Sequence, residues 1–122
     1  MTGRIRAANV RLKRAYEKAS RRDGVRVLVD RLWPRGVTKK AAAIDHWFKQ
    51  IAPSTGLRKW FGHDPARWAT FQQRYASELS ANRELLKALR NLARKEPITL
   101  VYGAHDETHN DAVVLRNVLL GR

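Results

Sequence analysis

The spacing of apolar residues changes several times along this chain, and each change marks an element. In residues 9–16 (NVRLKRAY) Val10 and Leu12 alternate with Arg11 and Lys13, the period of a half-buried strand, although propensity alone would also allow a helix running to Ala19. Ser20-Arg21-Arg22-Asp23-Gly24 reads as a turn, and residues 25–30, rich in β-branched side chains, as a second strand. A hairpin between these two strands is the expectation. After Gly36, Thr38 caps a predicted helix in which Ile44, Trp47, Phe48 and Ile51 fall at i, i+3, i+4 and i+7. Pro53 stops it, and Ser54 or Thr55 caps a short turn carrying Leu57, Trp60 and Phe61. Asp64-Pro65 has the form of an N-cap with proline at the first helical position. The helix it opens lines up Trp68, Phe71, Tyr75 and Leu79. A further helix over about 82–95 packs through Leu85, Leu86, Leu89 and Leu92. Pro97 closes it, residues 98–102 (ITLVY) form a short apolar strand, and a last helix from about Asn110 buries Val114, Leu115, Val118 and Leu119.

These elements imply an α/β fold: one small domain over residues 1–122, with a mostly parallel sheet of about three strands, an N-terminal hairpin and four to five covering helices. Residues 1–8 are expected to form a disordered basic N-terminus. The strands at 25–30 and 98–102 are almost wholly apolar, as parallel strands covered on both faces tend to be. A long helical crossover joins them, so the loops 30–36 and 103–110 are expected to leave the same edge and face one crevice, where open α/β sheets place ligands.

Composition narrows the picture. With 122 residues and 43% hydrophobic content, the chain supports one core. It has no cysteine, so neither a disulfide framework nor a cysteine nucleophile is available. No apolar run is long enough to span a membrane, and the N-terminus lacks the apolar segment of a secretory signal. A cytoplasmic protein without a membrane partner is therefore the expectation. Twenty-five Lys and Arg face eleven Asp and Glu, a net charge of +14. That charge attracts polyanions without specifying any; a basic compositional bias is the plainer source.

The segments LKRAY (12–16), VLVDRLWPRG (27–36), APSTGLRK (52–59), WFGHDPARW (60–68) and TLVYGAHDETHNDAVVL (99–115) resemble the YeaO-like proteins, a bacterial and archaeal family classed as a domain of unknown function. The resemblance covers nearly the whole chain and brings no activity with it. There is no Gly-rich cofactor loop and no helix-turn-helix, and the family pattern has Lys or Arg where this chain has His105.

The candidate chemistry lies in the two loops. Arg31 and Arg35, on a turn stiffened by Trp33-Pro34, suit a bidentate clamp for phosphate or carboxylate. Trp33 either stacks on a ligand ring or plugs the core. Asp30 is either a base at a strand end or the partner of Arg31, Arg35 or Lys13. Asp106, His109 and Asn110 would add hydrogen bonds, with Asp106 and Asp111 alternatively acids favoured at a helix start. The group His105, Asp106, Glu107, His109, Asp111 straddles a helix boundary, so no metal site and no cofactor is assigned. No serine sits in an elbow motif, which removes Ser/His/Asp catalysis. His63 reads as the neighbour of the Asp64 cap, and the amides after Ser54-Thr55 as an ordinary capped helix start. The expected function is binding of a phosphorylated or otherwise anionic small molecule, or a nucleotide, by Arg31, Trp33, Arg35, Asp106 and Asn110. Asp30 and His109 would move a proton in any reaction there. The alternatives are a nucleic-acid-binding surface built from Arg4, Arg6, Arg11, Lys13, Arg21 and Arg22, and a protein partner covering Trp60-Phe61. Nothing in the pattern fixes an oligomeric state.

Overall fold

The computed structural model describes residues 5–122. Four strands form one sheet: β1 (Val10–Arg14), β2 (Val25–Leu28), β3 (His46–Trp47) and β4 (Ile98–Tyr102), in the order β1-β4-β2-β3. Every neighbouring pair is parallel. Five helices accompany them: α1 (Lys39–Ala42), α2 (Thr55–Phe61), α3 (Trp68–Ala81), α4 (Arg83–Lys95) and α5 (Asp111–Leu119).

The expected N-terminal hairpin is not formed. β1 and β2 run parallel and are separated by β4, which pairs with both. All five residues of β4 are buried, so this is the strand with most to gain from the centre of the sheet. The stretch 15–24 is long enough, roughly 30 Å if extended, to return to the starting edge and feed a parallel strand. It returns through a one-turn 3-10 helix, Arg21–Asp23, closed by Gly24 at φ 64°. Val25 N then donates to Pro97 O, and a Cβ on Gly24 would lie 2.2 Å from that same oxygen. Glycine is required here on both counts.

The helix expected through Ile44 and Ile51 is also replaced. Thr38 Oγ1 does cap it, accepting from Ala41 N at 3.0 Å, but α1 stops after one turn at Ala43, which is left-handed at φ 47°. His46 and Trp47 then pair with Val27 and Leu28 as a fourth, edge strand. Backbone pairing with the open edge of β2 outweighs the helical spacing of the apolar side chains. Elsewhere the expected caps are present: Ser54 Oγ accepts from Leu57 N, Asp64 Oδ1 from Ala66 N and Asn110 Oδ1 from Val113 N.

The two sheet faces differ. On one, Val10, Val27, Val29, Ile98, Leu100 and Tyr102 join a large cluster with side chains from α2, α3, α4 and α5. On the other, Ala15, Leu28 and Val101 form a small cluster with Trp33 and Ile44. Beside it the buried residues are polar: Asp23, Arg26 and Thr99. Of the residues expected in a disordered N-terminus, 1–4 lie outside those described. Ala7–Asn9 form a 3-10 turn, with Ala7 O accepting from Arg116 Nη2. No helix among the described residues is long and apolar enough to cross a membrane.

Candidate functional site

Because β2 and β4 are adjacent and parallel, the loops that follow them leave the same edge. Gly103 N donates to Asp30 Oδ2 at 2.8 Å, which ties the two loops directly. A Cβ at position 103 would already stand 3.4 Å from that oxygen. Trp47 Nε1 donates to Asp30 O, and Trp33 Nε1 to Val37 O, both at 2.7 Å. The two indoles meet edge to face at 5.5 Å, which fixes the turn 30–37 from behind.

Asp30 faces Asp111, the first residue of α5. Asn110, buried, caps this helix and also donates from Nδ2 to Asp106 O, so its amide is spent on structure. Asp111 Oδ1 accepts from Ala112 N at 2.9 Å. The carboxyl groups of Asp30 and Asp111 stand close enough to share a hydrogen bond, which forms when one of them carries a proton. Burial raises both. The adjacent charge of Asp30 pushes Asp111 up further, well above the carboxylate range. Asp30 is raised by burial and then held back by Asp111, by the Gly103 amide and by the charges of Arg58 and His63.

The pair borders a cavity of about 620 Å³ lined also by Tyr16, Trp33, Phe61, Ala104 and Asn110. Its size falls within the range of small-molecule pockets, roughly 300–1,000 Å³. Arg31, Arg35, Arg58, His63, His105 and Asp106 line it as well, so cations outnumber free carboxylates. Arg31 Nη2 reaches Ala52 O and Pro53 O only at 3.4 Å, and its Nε is buried without a hydrogen-bond partner among the described residues. Arg26 Nη2 is in the same position, but it lies away from the cavity. The guanidinium groups of Arg35 and Arg58, on exposed residues, make no ion pair among the described residues. Arg14 Nε donates to Ala104 O at 2.9 Å and pins the 103–105 loop to the end of β1.

The structure thus gathers Asp30, Arg31, Trp33, Arg35, Asp106 and Asn110 round one cavity and leaves His109 outside its lining. His109 packs edge-on against Trp68 at 5.2 Å, and its Nδ1 lies 2.9 Å from Asp106 Oδ2. Asp106 is largely consumed by its own loop: Oδ1 accepts from Thr108 N, Thr108 Oγ1 and His109 N. The amide and hydroxyl of Thr108, with His109, hold its carboxyl down at a pKa of about 2. Arg58 and the partnership of Asp111 with Asp30 escaped the sequence reading. The available signal was that Asp30 ends one of two strands expected to be neighbours, and Asp111 opens the helix that follows the loop after the other. The Ser54 end of α2 is already satisfied, since Ser54 N and Oγ donate to the Glu78 carboxylate at 2.8 and 2.6 Å.

The surfaces named for other partners are partly spoken for. Lys13 Nζ bonds both oxygens of Asp23, and Arg11 Nη1 donates to Arg22 O. Arg6, Arg21 and Arg22 are exposed, and Arg4 lies outside the described residues. Phe61 is buried, and the Trp60 ring is covered by the guanidinium groups of Arg74 and Arg67 at 4.5 and 5.3 Å.

Fold and crevice together define the class: a small open-sheet α/β protein with a cavity at the carboxyl ends of its two central strands. Residues 9–122 match the family described as the inactive DUF488-N3 subclade, and the chain belongs to that family. It is 46% identical over 111 residues to the protein named Uncharacterized protein YeaO of Escherichia coli K12, covering 91% of this chain and 96% of that one. It is also 39% identical over 118 residues to Uncharacterized protein Rv3073c of Mycobacterium tuberculosis H37Rv, covering 97% and 99%. The YeaO-like resemblance is thereby shown. No solved structure matches the chain.

Proposed function

We propose that this protein binds a small anion-bearing molecule, with a phosphate or carboxylate group, in the cavity between the 30–36 and 103–110 loops. The observation that carries the reading is the state of Arg31, a residue of the cavity lining: its Nε is buried and has no hydrogen-bond partner among the described residues, which in a folded protein calls for an acceptor. Arg35 and Arg58 add two guanidinium groups on the same lining, without an ion pair among the described residues, a planar donor set suited to a phosphate or carboxylate. The description of the family as inactive favours binding over turnover.

A thermal-shift series with inorganic phosphate, sugar phosphates and nucleoside monophosphates tests this. A ligand at a hundred times its Kd stabilises by about 2.7 kcal/mol, a shift of roughly 10 °C for a domain of this size. Arg31→Ala is expected to remove the shift. If no anion at millimolar concentration raises the melting temperature, the reading is wrong. The second reading, a nucleic-acid surface, rests on the exposure of Arg6, Arg21 and Arg22. Steeply salt-dependent RNA or DNA binding that ignores Arg31→Ala would favour it instead.

A further inference from the structure

The polar groups around the cavity differ in what they still have to offer a ligand. Asn110, Trp33 and the Asp106 carboxylate have spent most or all of their capacity on the protein. Asp30 and Asp111 have not. One oxygen of each is taken, Asp30 Oδ2 by Gly103 N and Asp111 Oδ1 by Ala112 N. The other oxygen of each carboxyl group makes no hydrogen bond to a backbone or side-chain N–H or hydroxyl among the described residues, and the nearest polar group left to each carboxyl group is the other. Lone pairs on two neighbouring carboxyl groups are left facing a cavity whose other charged side chains are chiefly cations.

Such a site is bipolar. Arginines accept an anion, and the acid pair accepts hydrogen bonds. We propose that Asp30 and Asp111 together recognise the hydroxyl groups of a polyhydroxylated phosphate, a sugar phosphate or the ribose of a ribonucleotide, whose anionic end lies on Arg31, Arg35 and Arg58. The inference rests on the anion-binding reading above and names its ligand class. Neutral hydroxyls suit the pair because they can donate to a carboxyl oxygen whether or not the group carries a proton. A ligand with an anion but no donors would leave the carboxyl oxygens dehydrated and unpaired, which is penalised more heavily than a lost contact alone. The groups that face the pair from the surrounding elements are Arg58, His63, Arg31 and Tyr75. None of these offers the two carboxyl groups a second hydrogen bond.

The experiment is a calorimetric ladder at one pH and one salt concentration: inorganic phosphate, glycerol 3-phosphate, 2-deoxyribose 5-phosphate, ribose 5-phosphate, dAMP and AMP. Affinity is expected to rise with hydroxyl number, ribose 5-phosphate exceeding inorganic phosphate by about 10- to 100-fold, the range of one or two hydrogen bonds to a charged group. AMP above ribose 5-phosphate identifies a nucleotide as the source; equal affinities identify a sugar phosphate. Asp111→Asn, close in shape and still able to hydrogen-bond Asp30, is expected to flatten the ladder, and Asp30→Asn to do the same. Circular dichroism and the melting temperature of each variant report whether it is folded. Phosphate binding without any hydroxyl preference, or a ladder unchanged in folded Asp111→Asn, overturns this inference and leaves the anion reading standing. Failure of every probe, phosphate included, overturns the anion reading and this one with it.

Discussion

Two carboxylate centres sit at opposite ends of β2 and behave in opposite ways. Asp23 bonds Lys13 Nζ, Arg26 Nη1 at 2.7 Å and Ser20 N at 2.9 Å, while Arg26 Nε donates onward to Ala42 O. Asp30 and Asp111 have each other. Burial raises the pKa of an acid in both places. At Asp23 the Ser20 amide, Lys13 and Arg26 outweigh it, and the carboxyl ends below its usual value. At Asp30 and Asp111 the nearest strong partner is another acid, and both end above it. Depth does not decide what a buried acid does; the charge of its neighbour does. The first centre is closed and stabilising. The second is left incomplete, as functional sites tend to be.

The largest expected effect breaks the closed centre. Asp23→Ala leaves the 3%-exposed Arg26 and the Lys13 ammonium without their counter-charge, and losing one partner of a buried pair costs about 3–5 kcal/mol. Urea denaturation reads this directly, and a loss under 1 kcal/mol would mean the network is ornamental. The matched change in the open centre should invert the pattern. Arg31→Ala removes only two long backbone contacts, so stability should change by less than about 1 kcal/mol. Anion affinity, by contrast, should fall about 10- to 100-fold, the value of a charge-assisted hydrogen bond. A protein that unfolds on loss of Arg31 but still binds anions would reverse the roles assigned to the two centres.

A smaller effect separates the centres by pH. Asp23 has a depressed native pKa, so its contribution is present above about pH 4, the unfolded value, and is lost as pH falls below it. Asp30 and Asp111 have raised native pKa values, so the native state holds protons that the unfolded chain has released. Their contribution is present below about pH 4 and declines as pH rises toward the raised values. Asp111→Asn should remove that decline, so that the variant gains stability over the unaltered protein as pH rises toward 8, with little change at pH 4. Asp23→Asn should show its cost at pH 7 and lose it in acid. Parallel stability-versus-pH curves for the two variants would refute the distinction.

The same contrast explains how far the sequence could be read. The central strand at 98–102, the caps at Thr38, Ser54, Asp64 and Asn110, and the meeting of the DRLWPRG and HDETHN loops are local or follow from patterning, and they were legible. The position of β4 between β1 and β2 was not, because a hairpin and a parallel return look alike until a third strand competes for the middle. Likewise Ile44, Trp47 and Ile51 carry a helical spacing, yet Ile44 packs on one sheet face, Ile51 in the main core, and Trp47 in an edge strand. At the site, Asp30 and the arginines stood out by type. Asp111 did not, because an acid at the start of a helix has an ordinary explanation, and only the fold brings it to Asp30 across 81 positions of chain.

A third carboxylate sharpens the comparison at the smallest scale. Asp106 borders the cavity, is raised by no neighbouring acid and sits at a pKa of about 2, its charge held by Thr108 and His109. It resembles Asp23 in chemistry and Asp30 in place. If its chemistry governs, Asp106→Ala loosens residues 106–110: amide exchange at Thr108 and His109 accelerates, the melting temperature hardly moves, and ligand affinity drops only modestly. In the unaltered protein that protection should persist until the pH approaches 2. If its place governs, affinity collapses while amide protection stays intact. The first outcome is expected, because Oδ1 already accepts three hydrogen bonds and Oδ2 faces His109 Nδ1, so a ligand would have to displace the loop's own donors to reach it.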